Sequence, residues 1–130
     1  MTRMYRLEKD VKREVKKLLD VHRWFWFCPP ANGFGKAGIS DFLALRAGVF
    51  MAIETKVKTN KPTPMQKAFL SSIAAEDGFG FVVNDSNIDS FSKWLDMFDE
   101  AVAFAARNEV PPAAIGGPLL DAQKALTEGY

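Results

Sequence analysis

Residues 38–56 read GISDFLALRAGVFMAIETK, and this stretch decides the fold. Two apolar runs, Asp41–Leu45 and Val49–Lys56, lie on either side of the turn at residues 46–48. Apolar runs that flank a glycine-containing turn predict a β-hairpin. Asp41, Glu54 and Lys56 lie at the open end of the hairpin, and Arg46 lies at its turn. Charge at the end of an otherwise apolar strand is costly to bury unless it is matched, so these residues need a specific role.

The register of this hairpin determines whether Asp41 lies beside Glu54. A two-residue turn at Ala47 and Gly48 places Asp41 opposite Glu54, with side chains about 5 Å apart on one face. A three-residue loop pairs Asp41 with Ile53 instead and sends the two carboxylates to opposite faces. Because Ala-Gly is not a favoured two-residue turn, a four-residue loop or a compensating bulge remains open.

Two carboxylates at that separation repel each other, and each raises the pKa of the other unless a cation lies between them. A divalent metal ion resolves this repulsion, and a set of oxygen ligands favours Mg²⁺, with Mn²⁺ as a substitute, over zinc. Residues 54 and 56 of a strand point to one face, so Lys56 lies beside the ion, where it can hold phosphate oxygens or a water. The pattern predicts metal-assisted hydrolysis of a phosphodiester. The plainer alternative is that Asp41 caps a turn and that Glu54 and Lys56 form a solvated pair.

Helical and extended patterns surround the hairpin. Apolar residues at helical spacing predict a first helix over residues 5–20 with a basic outer face. The aromatic run Trp24–Phe27 predicts a strand covered on both faces. The later predicted elements are a helix over residues 63–77, opened by a capping box, a strand over 79–84 and a helix from 85 or 86 to 107. The order α-β-β-β-α-β-α predicts an α/β (α+β) fold with a mixed central sheet flanked by helices.

Length and composition limit the possible classes of protein. The chain has 130 residues, of which 48% are hydrophobic and 25% charged, as expected for one globular domain. We expect this domain to span residues 1–107 and residues 108–130 to form a C-terminal tail or dimer arm. With Cys28 as its single cysteine and His22 as its single histidine, the chain offers neither a disulfide framework nor a thiol-only zinc site. No apolar run reaches the roughly 20 residues of a membrane span, and the charged N-terminus lacks a signal-peptide pattern. The sequence therefore predicts a cytoplasmic protein with no membrane partner.

The charge is distributed unevenly along the chain. Residues 1–67 hold fourteen Lys or Arg and six Asp or Glu, whereas residues 68–130 hold three and ten. A basic half attracts a polyanion even when the net charge is only +1. The alternative is that folding mixes the two halves and leaves no basic patch. Lys36, Lys58 and Lys61 are candidates to contact DNA phosphates, although exposed lysines often only solvate a surface.

The hairpin motif resembles a known family. Asp41 followed by Glu54-Thr55-Lys56 looks like the PD-(D/E)XK nuclease signature, and residues 6–84 look most like its VRR-NUC branch of small phage and bacterial nucleases. The resemblance implies a restriction-endonuclease-like core in which Asp41, Glu54 and the backbone carbonyl of Thr55 bind the metal. It also implies that Lys56 is catalytic.

Two further residues match the family on helices. The resemblance implies that a glutamate at the start of the first helix completes the metal site, which is Glu8 here, with Glu14 as the alternative. It also implies a role for Gln66, although Gln66 already serves the predicted capping box and Glu8 already suits the helix dipole. The chain departs from the pattern at Ser40, where a proline is usual, and it lacks the Val-Arg-Arg triplet.

The resemblance implies a Mg²⁺-dependent endodeoxyribonuclease that acts on branched DNA such as a four-way (Holliday) junction. It implies a homodimer, since two sites related by a two-fold axis suit symmetric cutting. The last helix and the tail are candidates for the dimer surface. The alternatives are a nonspecific or restriction-like nuclease or nickase and a noncatalytic DNA-binding module of the same fold.

Overall fold

The computed structural model describes residues 7–30, 37–57, 59–111 and 116–127. The elements are α1 (Glu8–Val21), β1 (Phe25–Phe27), β2 (Phe42–Arg46), β3 (Val49–Thr55), α2 (Pro64–Ala75), β4 (Phe79–Val83), α3 (Ile88–Arg107) and α4 (Gly116–Thr127). The predicted α/β (α+β) class, with a mixed sheet flanked by helices, is confirmed. One helix, α4, follows the predicted seven elements.

The four strands form one sheet in the order β1-β2-β3-β4. Strands β1, β2 and β3 are antiparallel neighbours, and β4 pairs parallel to β3 after the crossover through α2. Arg46 pairs with Val49 and Phe42 with Ile53, so the two-residue turn is the register that forms. Ala47 and Gly48 both have positive φ, at 51° and 79°, as a type I′ hairpin turn requires.

The hydrophobic core lies between one face of the sheet and helices α1 and α3. Helix α1 contributes every third or fourth residue, in keeping with the predicted apolar stripe, and α3 contributes large aromatic rings. Trp94 is the centre of the aromatic packing, with its ring centroid 4.7 Å from Phe81 and 5.6 Å from Phe98. The largest fully buried side chains are Trp94, Phe42, Phe81, Phe91, Phe98, Leu19, Met51, Ile53, Leu95, Val11, Val15 and Val83.

The opposite face of the sheet is covered over only part of its width. Helix α2 lies on β3 and β4, and α4 lies on β4 and α3. The prediction that the aromatic run forms a strand covered on both faces is wrong, since Phe25 is 71% exposed and Phe27 is 48% exposed. These rings are exposed because of how the helices pack, since none of the described helices covers β1 on this face.

The C-terminal helix α4 is anchored to the rest of the chain. The indole nitrogen of Trp94 donates to the carbonyl of Leu119 at 3.0 Å, and the Gln123 side chain donates to the carbonyl of Gly80. The division into residues 1–107 and a tail or dimer arm stays a prediction. None of the helices in the described part of the chain combines the length and the apolar content needed to cross a bilayer.

Candidate active site

Asp41 stands immediately before β2, at the position that the hairpin register places opposite Glu54. Its Oδ2 accepts two hydrogen bonds from Thr55, one from the backbone N–H at 2.9 Å and one from the hydroxyl at 2.6 Å. The neighbouring strand therefore fixes the Asp41 carboxylate, while its Oδ1 faces the Lys12 ammonium at 3.6 Å. Sequence reasoning did not identify the Thr55 side chain, and the metal-binding role of the Thr55 carbonyl stays a prediction.

Glu54 lies near the end of β3 and is only 2% exposed. Its Oε1 accepts a hydrogen bond from Gln66 Nε2 at 2.9 Å and lies 3.6 Å from the Lys56 ammonium nitrogen. Its Oε2 is buried and has no hydrogen-bond partner among the described residues. A buried oxygen of this kind is costly unless another group satisfies it.

The surroundings of Glu54 raise its pKa from 4.5 to about 7. Burial is the largest cause, because it disfavours the ionised form, and the carboxylates of Asp41 and Glu8 act in the same direction. The positive charge of Lys56 opposes the shift without cancelling it. Near neutral pH, Glu54 is therefore poised between a neutral carboxyl and a carboxylate.

Glu8, the first residue of α1, belongs to the same cluster. The Lys12 ammonium lies 3.9 Å from Glu8 and 3.6 Å from Asp41, so it joins the helix to the strand carboxylate. Glu8 also raises the pKa of Glu54, and the choice between Glu8 and Glu14 as the helix glutamate of this site stays a prediction. Lys12 was not predicted, although its position four residues after Glu8 was the available signal.

Gln66 takes part in the capping box and also contacts Glu54, while its catalytic role stays a prediction. Its side-chain oxygen accepts from the Thr63 N–H at 2.8 Å, while its backbone N–H donates to the Thr63 hydroxyl, which completes the predicted capping box. Its side-chain nitrogen donates to Glu54. The first turn of α2 therefore orients the buried carboxylate.

The acids of this site are candidates to bind a divalent cation. Asp41, Glu54 and Glu8 lie near the same end of the sheet, but one oxygen from each does not come within 4.8 Å of the other two, so joint binding of one ion stays a prediction. The two lysines near them leave one negative charge uncompensated when all three acids are ionised. Hard oxygen donors are the ligands that Mg²⁺ and Mn²⁺ prefer. The buried, unpartnered Oε2 of Glu54 is the oxygen that most needs such a partner.

Of the three lysines predicted to contact DNA, the described residues include Lys61. It lies in the segment before α2 and is exposed. Lys36 and Lys58 lie outside the described residues. Contact of all three with DNA stays a prediction.

A second cluster joins the end of α1 to α3. The His22 Nδ1 lies 2.6 Å from an Asp99 oxygen, and Asp96 lies 3.8 Å from the other ring nitrogen. Burial alone would raise the pKa of Asp99, but hydrogen bonds from Arg46 and His22 outweigh it and lower that pKa. The three side chains have the spacing of metal ligands. Because the Arg46 guanidinium already pairs with Asp99, the cluster is better suited to holding α1, β2 and α3 together.

Comparison with known proteins leaves the family open, since no protein-family model, curated protein or solved structure matches the chain.

Proposed function

We propose that the protein is a metal-dependent endodeoxyribonuclease that hydrolyses DNA phosphodiesters. The observation that carries this proposal is the convergence of Asp41, Glu54 and Lys56 at one end of the sheet, with one Glu54 oxygen buried and unpartnered. A merely solvated surface pair does not account for a glutamate that is 2% exposed. Carboxylates that face a phosphate backbone repel it and weaken DNA binding unless a cation lies between them.

Each side chain of the site has a distinct task. Asp41 and Glu54 would hold the metal, with Glu8 completing the set, and the ion would supply Lewis-acid stabilisation of the phosphate and a more acidic water. Lys56 neutralises the charge that develops on the phosphate oxygens. Thr55 and Gln66 keep the two strand carboxylates oriented through the hydrogen bonds described above.

The basic outer face of α1 supports a polyanionic substrate. Lys9, Arg13, Lys16 and Lys17 are exposed on this helix, whose first residue, Glu8, belongs to the site. Such a face attracts a phosphate backbone through its local field. The choice of DNA, and of branched DNA in particular, follows the resemblance of residues 6–84 to the VRR-NUC branch.

In the proposed homodimer, a second copy of the chain covers the exposed side of the sheet. Phe25, Phe27, Leu45 and Phe50 are exposed on the face that α2 covers only over β3 and β4. Strand β1 is also an edge strand, unpaired on its outer side within the described residues. Apolar patches and open strand edges favour association. We place the proposed homodimer contact here, where a two-fold axis brings two sites together for symmetric cutting.

The decisive test compares cleavage of a synthetic four-way junction, a matched linear duplex, single strands and an RNA duplex, with Mg²⁺ or with EDTA. We expect Mg²⁺-dependent symmetric cuts in the junction. Lys56→Ala should lower the cleavage rate at least 100-fold, because it removes charge stabilisation at the reacting phosphate. Binding and thermal stability should change little. Lys93→Ala, at an exposed position on α3, is the matched control and should cleave normally.

The other outcomes separate the alternatives. Equal cutting of all DNA substrates keeps the chemistry but removes the preference for junctions. DNA binding without cleavage in any metal favours a noncatalytic module of the same fold. Undiminished cleavage by Lys56→Ala contradicts the assignment of the catalytic lysine.

A further inference from the structure

A cavity of about 240 Å³ opens directly beside Asp41. It lies between α1 and the segments that lead out of β1 and into β2. Its lining residues are Lys12, Lys16, Cys28, Pro29, Ile39, Ser40, Asp41 and Phe42. Because Asp41 belongs both to this wall and to the candidate metal site, any group in the cavity is adjacent to that site.

The helix side of the cavity is cationic. Lys12 and Lys16 are one helical turn apart, so both side chains reach the same space. Lys12 is held by the carboxylates of Glu8 and Asp41. Lys16 is exposed and forms no ion pair within the described residues, so its charge is available to an anion.

The strand side of the cavity contributes Ser40, which is 2% exposed. Its hydroxyl is buried and has no hydrogen-bond partner within the described residues. Such a group costs stability, since it has lost water without gaining a bond. The hydroxyl can donate to one oxygen and accept from another group. Ser40 also stands where the resembling motif usually has a proline, which offers no side-chain donor.

The remaining walls are apolar, and the volume limits the occupant. Pro29, Ile39 and Phe42 provide no charge, so they suit the carbon skeleton of a sugar better than a second phosphate. Cavities for drug-sized ligands measure roughly 300–1,000 Å³. A space of about 240 Å³ therefore suits one phosphate with its sugar and excludes a base pair.

We propose that this cavity is a subsite for the phosphate and sugar of the nucleotide next to the scissile phosphodiester. The inference rests on the proposed nuclease function. Lys16 and the Ser40 hydroxyl bind the phosphate oxygens, and the apolar walls contact the sugar. The subsite positions the strand so that the next phosphate lies against Asp41 and Glu54.

Cys28 supplies a direct readout, because it is exposed, lines the cavity and is the only cysteine of the chain. The reaction rate of its thiol with a colorimetric disulfide reagent is measured in EDTA, where no cleavage occurs. The added probes are a single-stranded oligodeoxynucleotide, deoxyribose 5-phosphate and inorganic phosphate at matched ionic strength. We expect the oligonucleotide to slow the reaction about tenfold, in proportion to its occupancy of the site. Deoxyribose 5-phosphate should protect at lower concentration than inorganic phosphate.

Two variants test the contacts. Lys16→Ala and Ser40→Ala should each weaken oligonucleotide binding about threefold to tenfold, as expected for the loss of one hydrogen bond to a charged phosphate. Ser40→Ala removes a hydroxyl without a partner, so its thermal stability should equal or exceed that of the parent protein. Lys17→Ala removes one charge from the same basic helix face at an exposed position that does not line the cavity, so it measures the general electrostatic loss that Lys16→Ala must exceed.

The failure of this subsite is distinguishable from the failure of the nuclease assignment. If the parent protein cleaves DNA but Cys28 is not protected, and both variants bind like Lys17→Ala, the subsite is wrong and the nuclease stands. Equal protection by inorganic phosphate and deoxyribose 5-phosphate overturns the sugar contact. A parent protein that neither binds nor cleaves DNA overturns both proposals.

Discussion

The Glu54 carboxyl is buried next to other acids, so its ionisation opposes folding. Its pKa rises from 4.5 to about 7 on folding. The folded protein therefore holds this proton more tightly than the unfolded chain. The resulting loss of stability is absent below pH 4.5, grows between pH 4.5 and about 7, and is fully present above that. Each pKa unit corresponds to about 1.4 kcal/mol, so the ionised group costs about 3 kcal/mol.

Glu54→Gln should therefore stabilise the metal-free protein while abolishing cleavage. The amide keeps an oxygen for the Gln66 hydrogen bond but carries no charge to bury. We expect a gain of about 2 kcal/mol in the free energy of unfolding at pH 8, measured by denaturant unfolding in EDTA. The gain should disappear at pH 4.5, and Glu76→Gln, at an exposed position, should show none. If Glu54→Gln lowers the free energy of unfolding at pH 8, the ionised Glu54 does not oppose folding and this account of the residue is wrong.

The same pKa predicts the pH dependence of activity. A protonated Glu54 cannot bind a metal, so cleavage at low Mg²⁺ should rise with pH through about 7. High Mg²⁺ competes with the proton and should move the rise to lower pH. Single-turnover cleavage between about pH 5.5 and 9 at two Mg²⁺ concentrations measures this shift. A rise that does not move with Mg²⁺ assigns the titration to another group.

The sequence predicted the acidic residues of this site better than their partners. The sequence left several hairpin registers open, and the two-residue turn that forms is the one that places Asp41 opposite Glu54. Both residues could be named because strand pairing in a hairpin relates residues that are close in sequence. Lys12 was missed because its role depends on how α1 docks on the sheet, which periodicity does not determine. The orienting hydroxyl of Thr55 was missed because the hairpin register relates backbone positions and places Asp41 opposite Glu54, whereas the Asp41 side chain bonds to Thr55.

At the scale of the elements, Gly38 joins the entry of β2 to the first turn of α2. It has a φ of +72°, and a Cβ there would overlap the Met65 carbonyl and lie 2.9 Å from the Gln66 amide nitrogen. The glycine of the motif is thus needed for close backbone approach as well as for the turn. This contact keeps α2 where Gln66 reaches Glu54.

Gly38→Ala should accordingly impair both stability and catalysis. We expect a loss of about 2–4 kcal/mol, because strained φ and backbone overlap add together. The cleavage rate should fall at a temperature where the variant is still folded, since α2 must shift with Gln66. Gly48→Ala is the matched control, because its φ is +79° and a Cβ there meets no atom within 4 Å. It should cost about 1 kcal/mol and leave cleavage unchanged.

The elements themselves were largely predictable from local patterns. The helical spacing of Val11, Val15 and Leu19 and the capping box at Thr63 depend on nearby residues only, so α1 and α2 formed as expected. The burial of Trp24–Phe27 was not predictable in the same way. An aromatic run indicates a strand, but the coverage of that strand depends on where distant helices pack.

At the scale of the whole molecule, the uncovered sheet face combines two features that favour a partner. Its exposed side chains are aromatic or aliphatic, and the adjacent β1 edge lacks a neighbouring strand within the described residues. A second copy related by a two-fold axis satisfies both at once, since identical antiparallel edges are self-complementary. Helix α4, by contrast, already packs on α3 and β4 of its own chain.

Phe25→Asp should therefore disrupt the proposed dimer without unfolding the domain, because Phe25 is 71% exposed and packs on little within its own chain. A charge at the centre of an apolar interface commonly costs several kcal/mol, which should make the variant monomeric at micromolar concentration. Sedimentation equilibrium gives the mass directly. Phe104→Asp is the control on α3, at a side chain that is 45% exposed and distant in sequence from the patch. The monomer should still nick DNA but lose paired cuts in a junction, because each site acts alone. A parent protein that is itself monomeric, or a Phe25→Asp variant that still dimerises, contradicts this interface.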